Sequence, residues 1–312
     1  MNTWLIGAGN MAKDYCKVLL AQGVTFEVVG RGVASAKSFE DATGVKVQAG
    51  GLEALLRNQP TPELAIIAVG VETLSDTAIR LIKAGTRRIL LEKPGGLNLA
   101  EIENVDSVAR EYGANVGIAY NRRFYASTEK VEELIASDGG ATSLSFEFTE
   151  WSHQIRDQQL GPGVKDHWLL ANSTHVVDLA FHICGAPTNW SNWHSGTLDW
   201  HPAAARFSGA GVTNRGVLFS YLADWESSGR WGIEILTRKR RLVLRPMEQL
   251  QQIMLGSVRV ESVEIDDKLD REFKPGLYRQ TQAFLQDEPS KICQVSEQIR
   301  NVQLYNRMAG YV

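Results

Sequence analysis

The first 120 residues alternate short apolar runs with stretches of helical periodicity, and this alternation limits the possible folds more than any other feature of the chain. It opens on a strand-like run, Thr3-Trp4-Leu5-Ile6, then the turn Gly7-Ala8-Gly9-Asn10-Met11-Ala12, then a helical segment from Lys13 to Ala21. The rhythm continues with strands at Phe26 to Val29, Leu64 to Val69, Arg88 to Leu91 and Asn115 to Ala119. Between them lie helices at Ala34 to Thr43, Leu52 to Leu56, Thr73 to Ala84 (closed by Gly85) and Ala100 to Tyr112 (closed by Gly113). A run as uniformly apolar as Leu64 to Val69 suits a parallel strand covered on both faces, and successive βα units supply that cover. Residues 1–120 are therefore expected to form an α/β Rossmann domain with a doubly wound parallel sheet.

The opening turn has a chemical reading. Gly7 permits the tight turn, and Gly9, lacking a Cβ, lets the backbone approach a pyrophosphate held at the N-terminus of the next helix, with Asn10 and Met11 in its first turn. Ala12 stands where a third glycine is usual. At the end of strand two the chain reads Val29-Gly30-Arg31-Gly32, with no carboxylate to bond a ribose 2′-hydroxyl. An arginine there accommodates a 2′-phosphate, so Arg31 favours NADP over NAD. About 85 residues after the turn, Glu92-Lys93-Pro94 closes the strand Arg88 to Leu91 and puts Lys93 where a nicotinamide would lie. Lys93 is thus the first candidate for a catalytic acid/base.

Composition excludes several alternatives. With 44% hydrophobic and 22% charged residues, 312 residues can build two domains with real cores. A net charge of −3 and a pI near 6.1 give no electrostatic case for nucleic acid or an anionic membrane. The basic run Arg238-Lys239-Arg240-Arg241, flanked by apolar stretches, reads as a solvated hairpin. No apolar stretch approaches a membrane span, and Met1 leads almost directly into strand one, so a cytoplasmic location is expected. Cys16, Cys184 and Cys293 are odd in number and far apart, as expected of reduced thiols.

After Tyr120 the texture changes. A helix from Ser127 to Ala136 is followed by an alternating strand, Ser143 to Glu150, and by further strand-like runs at 188–197, 206–211, 217–225, 231–236, 241–244, 252–255 and 258–265. Strands in succession without helices between them indicate an antiparallel sheet, and helices at Tyr278 to Gln286 and Val295 to Met308 close the chain. Residues 121–312 are expected to be an α+β domain built on a large, mostly antiparallel open sheet. Within it, Asn172 or Ser173 is a natural N-cap for a helix carrying Val176, Val177, Leu179, Ala180 and Ile183 on its buried face. His175 would then lie in the first turn, where the helix dipole favours the neutral imidazole. His175, Asp178 and His182 share roughly one helix face but lack a further ligand cluster, so no metal is expected.

Taken together, Gly7-Ala8-Gly9, Glu92-Lys93-Pro94, Tyr120-Asn121-Arg122-Arg123-Phe124 and His175-Val176-Val177-Asp178 resemble, in order and spacing, the glucose–fructose oxidoreductase / inositol dehydrogenase / MocA (Gfo/Idh/MocA) family. The resemblance spans essentially the whole chain. It implies reversible hydride transfer between NAD(P) and a carbinol of a sugar or related polyol, with Lys93 and His175 lining that carbinol. It also implies a homodimer or homotetramer formed through the C-terminal sheet. Two departures stand out: Ala171 replaces the Asp common four residues before the histidine, and Val69-Gly70-Val71 replaces a Thr-Pro pair under the nicotinamide. Proton handling would then fall to Lys93 with His175. Lys93 would have its pKa lowered by desolvation and by a neighbouring Arg122 or Arg123.

Tyr120, Arg122, Arg123, Lys165, Trp168, Asn172 and Asp178 are the candidate substrate contacts, with Glu92 and Val69 beside the cofactor. Arg122, Arg123 and Lys165 could neutralise a phosphate or carboxylate of an activated or acidic sugar, as in surface-carbohydrate pathways. Seven of the eight tryptophans fall between Trp151 and Trp231, and Trp168, close in sequence to His175, could stack on a sugar ring. The rival readings are a catalytically inactive dinucleotide-binding regulator and a dehydrogenase of a non-sugar substrate.

Overall fold

A computed structural model describes residues 2–311. Cα packing resolves two compact units. The first runs to Tyr120 and includes 161–164 and 277–302; the second comprises 121–160, 165–276 and the residues from Gln303 on.

The first unit alternates β1 (Thr3–Ile6), α1 (Asn10–Ala21), β2 (Glu27–Val29), α2 (Val33–Thr43), β3 (Val47–Gln48), α3 (Gly51–Asn58), β4 (Leu64–Ile67), α4 (Leu74–Ala84), β5 (Arg88–Glu92), α5 (Leu99–Tyr112) and β6 (Asn115–Ala119). These six strands are parallel, in the order β6-β5-β4-β1-β2-β3, the doubly wound arrangement whose order reverses beside β1. Every residue of β1 and β4 is buried, as strands covered on both faces require. The two-residue β3 escaped sequence reading because it carries no periodicity.

In the second unit, α6 (Ala126–Ser137) precedes β7 (Ala141–Glu147), a short α7 (Ser152–Ile155) and α8 (Thr174–Cys184). Then follow β8 (Pro187–Ser195), β9 (Arg206–Thr213), β10 (Leu218–Asp224), β11 (Gly232–Thr237), β12 (Arg240–Leu244), β13 (Gln251–Met254), β14 (Glu261–Ser262) and α9 (Lys268–Glu272). The eight strands lie in the order β14-β13-β12-β11-β7-β10-β9-β8, antiparallel except where β10 runs parallel to β7. The alternation in β7 has its expected result: Leu144 and Phe146 are buried, and Phe146 meets Phe181 of α8 edge-on at 5.5 Å. The basic run forms the β11–β12 turn, where Arg240 forks onto Asp138 at 2.8 and 3.0 Å. The strand expected over 258–265 shrinks to Glu261–Ser262.

The last segment departs from the expectation of one second domain over 121–312. α10 (Leu277–Leu285) packs on α1, and β15 (Cys293–Gln294) adds an antiparallel edge to the first sheet, pairing Cys293 with Ile118 and Gln294 with Gly117. The contact requires Gly117, since a Cβ there would lie 2.5 Å from Ile292. α11 (Val295–Ala309) follows.

Candidate active site

Where β1 ends, Gly7 holds φ +125°, and a Cβ on it would lie 2.2 Å from the Ala68 carbonyl oxygen. Only glycine satisfies both constraints. Gly9 is the N-cap of α1 and makes no side-chain cap, and a Cβ on it would meet nothing within 4 Å, so the first-turn N–H groups of α1 face open space. That space is a cavity of about 840 Å³ lined by Gly7, Gly9, Asn10, Met11, Arg31 and Val69. Its backbone donors and its place beside the reversal of strand order fit a dinucleotide pyrophosphate. At its far end lie Arg31, Ser35, Glu53, Asp76 and Arg80; Arg80 binds both Glu53 and Asp76, whereas Arg31 is exposed. Two expected cofactor residues, Glu92 and Lys93, do not line this cavity.

Glu92 instead takes a hydrogen bond from the Tyr15 hydroxyl at 2.8 Å. Burial, reinforced by that carboxylate, holds the Tyr15 phenol well above its ordinary pKa, so Tyr15 remains a donor. Lys93 is half-buried, one residue beyond β5. The turn after it is fixed from α11, where Gln298 Nε2 donates to both the Pro94 carbonyl and the Tyr120 hydroxyl at 2.9 Å. Glu101 closes the loop: its N–H donates to the side chain of the N-cap Asn98, and its carboxylate accepts from the Leu97 N–H. Tyr120, expected at the substrate, is 1% exposed and serves in this brace. Gln298 and Tyr15 were invisible in sequence because each acts across 77 residues or more.

In the second unit several expectations are revised. His175 does not begin a helix: a π-helical stretch, Leu169–Ser173, runs directly into α8, and Ser173 is itself helical (φ −67°, ψ −18°). The dipole argument for a neutral His175 therefore loses its basis, since the backbone N–H groups of that turn are not at a free end. Asn172 and Ser173 donate instead to Glu150, at 2.9 and 2.7 Å, and the other oxygen of Glu150 accepts from Arg230 at 3.1 Å. Glu150 is 1% exposed, and burial raises its pKa against those donors. Arg123 and Asp178 form a buried two-pronged pair at 2.8 and 2.6 Å, which occupies both and ties the Arg123 turn to α8. Lys165 donates to the Arg156 carbonyl at 2.6 Å. Trp168 is buried edge-on to Trp200, which stacks on Trp225 at 5.7 Å; it belongs to the core. His182 lies 3.5 Å from Glu132, and among the described residues no group of three or more His, Cys, Asp or Glu could hold a metal ion.

What the second unit does gather is a cluster on Trp231. The Arg122 and Arg230 guanidinium carbons stand 4.9 and 4.6 Å from its ring centroid, and the His175 ring lies 6.1 Å away. Of the expected site residues, the substrate contact Arg122 and the catalytic candidate His175 are brought together here. Trp231, Arg230 and Glu150 were missed; only the aromatic–basic pair Arg230-Trp231 left a trace in the sequence.

Residues 1–120 match the family described as an oxidoreductase family with an NAD-binding Rossmann fold, Gfo/Idh/MocA. The match covers the β1–β6 part of the first unit. An uncharacterized oxidoreductase of Escherichia coli K12, YdgJ, is 26% identical over 139 residues, 43% of this chain and 39% of its own length. The chain thus aligns with about two fifths of the curated relatives it matches. Among solved structures, UDP-N-acetylglucosamine 3-dehydrogenase from Acidithiobacillus ferrooxidans superposes with a TM-score of 0.76 at 17% identity, covering 100% of this chain and 97% of that one. Levoglucosan dehydrogenase, solved with NADH, gives 0.78 at 15% identity, covering 99% and 96%. At such identities these structures establish the shared fold. Among the described residues no helix is long and apolar enough to cross a membrane.

Proposed function

We propose that the chain is a cytoplasmic NAD(P)-dependent oxidoreductase that transfers a hydride between the nicotinamide and a carbinol or ketone carbon of a sugar or related polyol. The observation that carries this reading is the placement of Lys93 at the same end of the first sheet as the glycine cradle. β5 and β1 are separated only by β4, about 10 Å across at ordinary strand spacing. When bound, the dinucleotide would supply the hydride acceptor or donor. In oxidation the Lys93 amine takes the proton from the substrate hydroxyl as the adjacent carbon gives up hydride; in reduction the Lys93 ammonium returns it. Gln298 and Tyr120 hold the turn that follows Lys93, which keeps the amine oriented without exposing it fully to water. The role proposed for His175, a hydrogen bond to the same carbinol, rests on the motif resemblance. The resemblance likewise supports self-association through the outer face of the second sheet, where Trp193, Leu218 and Leu222 are exposed among serines and alanine.

NADP is the proposed cofactor. Arg31 offers an exposed cation at the cavity end, whereas the carboxylates lining that end are engaged by Arg80. Titration with NADPH and NADH, followed by nicotinamide fluorescence, tests this. Arg31→Ala is expected to weaken NADPH about tenfold, the worth of one charge-assisted bond, and to leave NADH nearly unchanged. Preference for NADH in the parent protein overturns the NADP assignment. Binding of neither sinks the enzyme reading and leaves a regulator, which Ala171 in place of the usual Asp would suit.

A further inference from the structure

Around Trp231 the neighbouring arginines pair with carboxylates, with one exception. Arg123 is matched by Asp178, and Arg230 by Glu150. Arg122 has no such match. Its Nε is fully enclosed and meets no hydrogen-bond acceptor, and among the described residues no carboxylate makes ion-pair contact with its guanidinium. Glu248 and Glu150 act on it only at longer range, and Glu248 is exposed, with the Tyr125 hydroxyl at 3.4 Å. An arginine cannot shed its proton to relieve burial. Desolvation of Arg122 is the leading influence on it and disfavours its charged form. At close range, aromatic faces offset part of that cost: Trp231 at 4.9 Å and Tyr125 at 5.8 Å.

The chain also spends structure on holding Arg122 in place. The turn Asn121–Phe124 is pinned by Asn121 Nδ2 donating to the Pro275 carbonyl and by Thr128 Oγ1 donating to the Arg122 carbonyl, at 2.9 and 2.8 Å. Gly276, at φ +72°, lets the chain pass so close that a Cβ there would lie 2.0 Å from the Asn121 carbonyl oxygen. A cation this well fixed and left without an internal counter-ion is complementary to an anion from outside.

We propose that Arg122 is the receptor for a carboxylate, and that the substrate is an acidic sugar, a polyol bearing one carboxyl group. Charge counting selects the carboxylate over a phosphate. With Glu150 on Arg230 and Asp178 on Arg123, the buried groups leave one positive charge, and the exposed Glu248 further reduces the field at Arg122, which suits a monoanion better than a phosphate dianion. The flat fork of a guanidinium also matches a planar carboxylate. Arg122 and His175 both border Trp231, at 4.9 and 6.1 Å from its ring centroid, so the anion and the imidazole share one aromatic side chain.

This inference rests on the oxidoreductase reading for its substrate, so its test separates the two. The protein, saturated with NADPH, is titrated calorimetrically with D-glucuronate, D-glucose and D-glucose 6-phosphate, and turnover of each is followed with NADP⁺ or NADPH as the direction requires. Glucuronate is expected to bind roughly 10- to 100-fold more tightly than glucose, a preference lost in Arg122→Gln and partly restored in Arg122→Lys, which keeps the charge without the fork. Glucuronate binding that depends on Arg122, with no turnover, keeps the carboxylate site and defeats the oxidoreductase reading. Turnover of glucose with no preference for the acid keeps the oxidoreductase and defeats the carboxylate site, as does a preference for the phosphate. Should Arg122→Gln fail to fold, the Arg122→Lys comparison decides: undiminished glucuronate preference in that variant together with equal binding of acetate and methanol overturns the proposal.

Discussion

The two units build their functional surfaces in opposite ways. The cavity of the first is made of backbone: glycines at positions 7 and 9, an uncapped helix start, and a carbonyl that forbids any side chain at Gly7. The cluster of the second is made of long side chains, Arg122, Glu150, Arg230 and Trp231, drawn from turns and loops outside the strands and spread along the sequence. A backbone cradle recognises what all dinucleotides share, whereas a side-chain cluster can be rewritten by single substitutions. Under the proposed function, the first unit would hold the cofactor that a family has in common, and the second the side chains that distinguish one substrate from another.

Three perturbations would break or sharpen that contrast. The largest effect is expected from Gly7→Val. Its side chain would collide with the Ala68 carbonyl at a backbone angle closed to β-branched residues, so nicotinamide fluorescence titration should show cofactor binding abolished. Cofactor binding unchanged in that variant would mean that the cradle is not the dinucleotide site. Next is Asp178→Ala, which leaves Arg123 buried without its partner. The cost should be about 3–5 kcal/mol of unfolding free energy in a urea titration, while NADPH affinity per folded molecule stays the same. An equal loss of cofactor affinity would show that the second unit is not confined to the substrate.

The smallest effect concerns pH. His201 is fully buried between the Ala204 carbonyl and the Tyr311 hydroxyl, and desolvation holds its pKa below the ordinary 6.5. The unfolded chain therefore binds the extra proton first. Stability is complete above about pH 6.5 and is lost as pH falls through the folded value, on the order of 1 kcal/mol per depressed unit. Urea midpoints at pH 7.5 and 5.5 should differ in the parent and converge in His201→Gln.

How far each surface could be read from the sequence follows the same division. The parallel sheet, its helices and the glycine cradle were legible because each is written in adjacent residues: a turn, a period, a glycine closing a helix. Lys93 was legible for the same reason, as the residue after a strand. The brace behind it was not, because Gln298 reaches Pro94 only once Cys293–Gln294 has paired with β6, a two-residue strand with no periodic signature. The arginines show the limit most clearly. Arg122 and Arg123 are neighbours in sequence and looked equivalent, yet one is neutralised by Asp178 and the other is not; only the packing of α8 against their turn decides which. Asn172 and Ser173 looked like helix caps because the sequence carries no sign of the π-helical stretch before α8, nor of the buried Glu150 that takes their hydrogen bonds.

The central claim is that Lys93 moves the substrate proton at the end of β5. Single-turnover kinetics of Lys93→Met, measured alongside its NADPH affinity, test it most directly. Loss of hydride transfer by about 10²- to 10⁴-fold, the ordinary contribution of a positioned acid/base, with cofactor affinity changed no more than a few-fold, is the predicted result. Hydride transfer at the parent rate in that variant would contradict the claim and move the chemistry elsewhere in the chain.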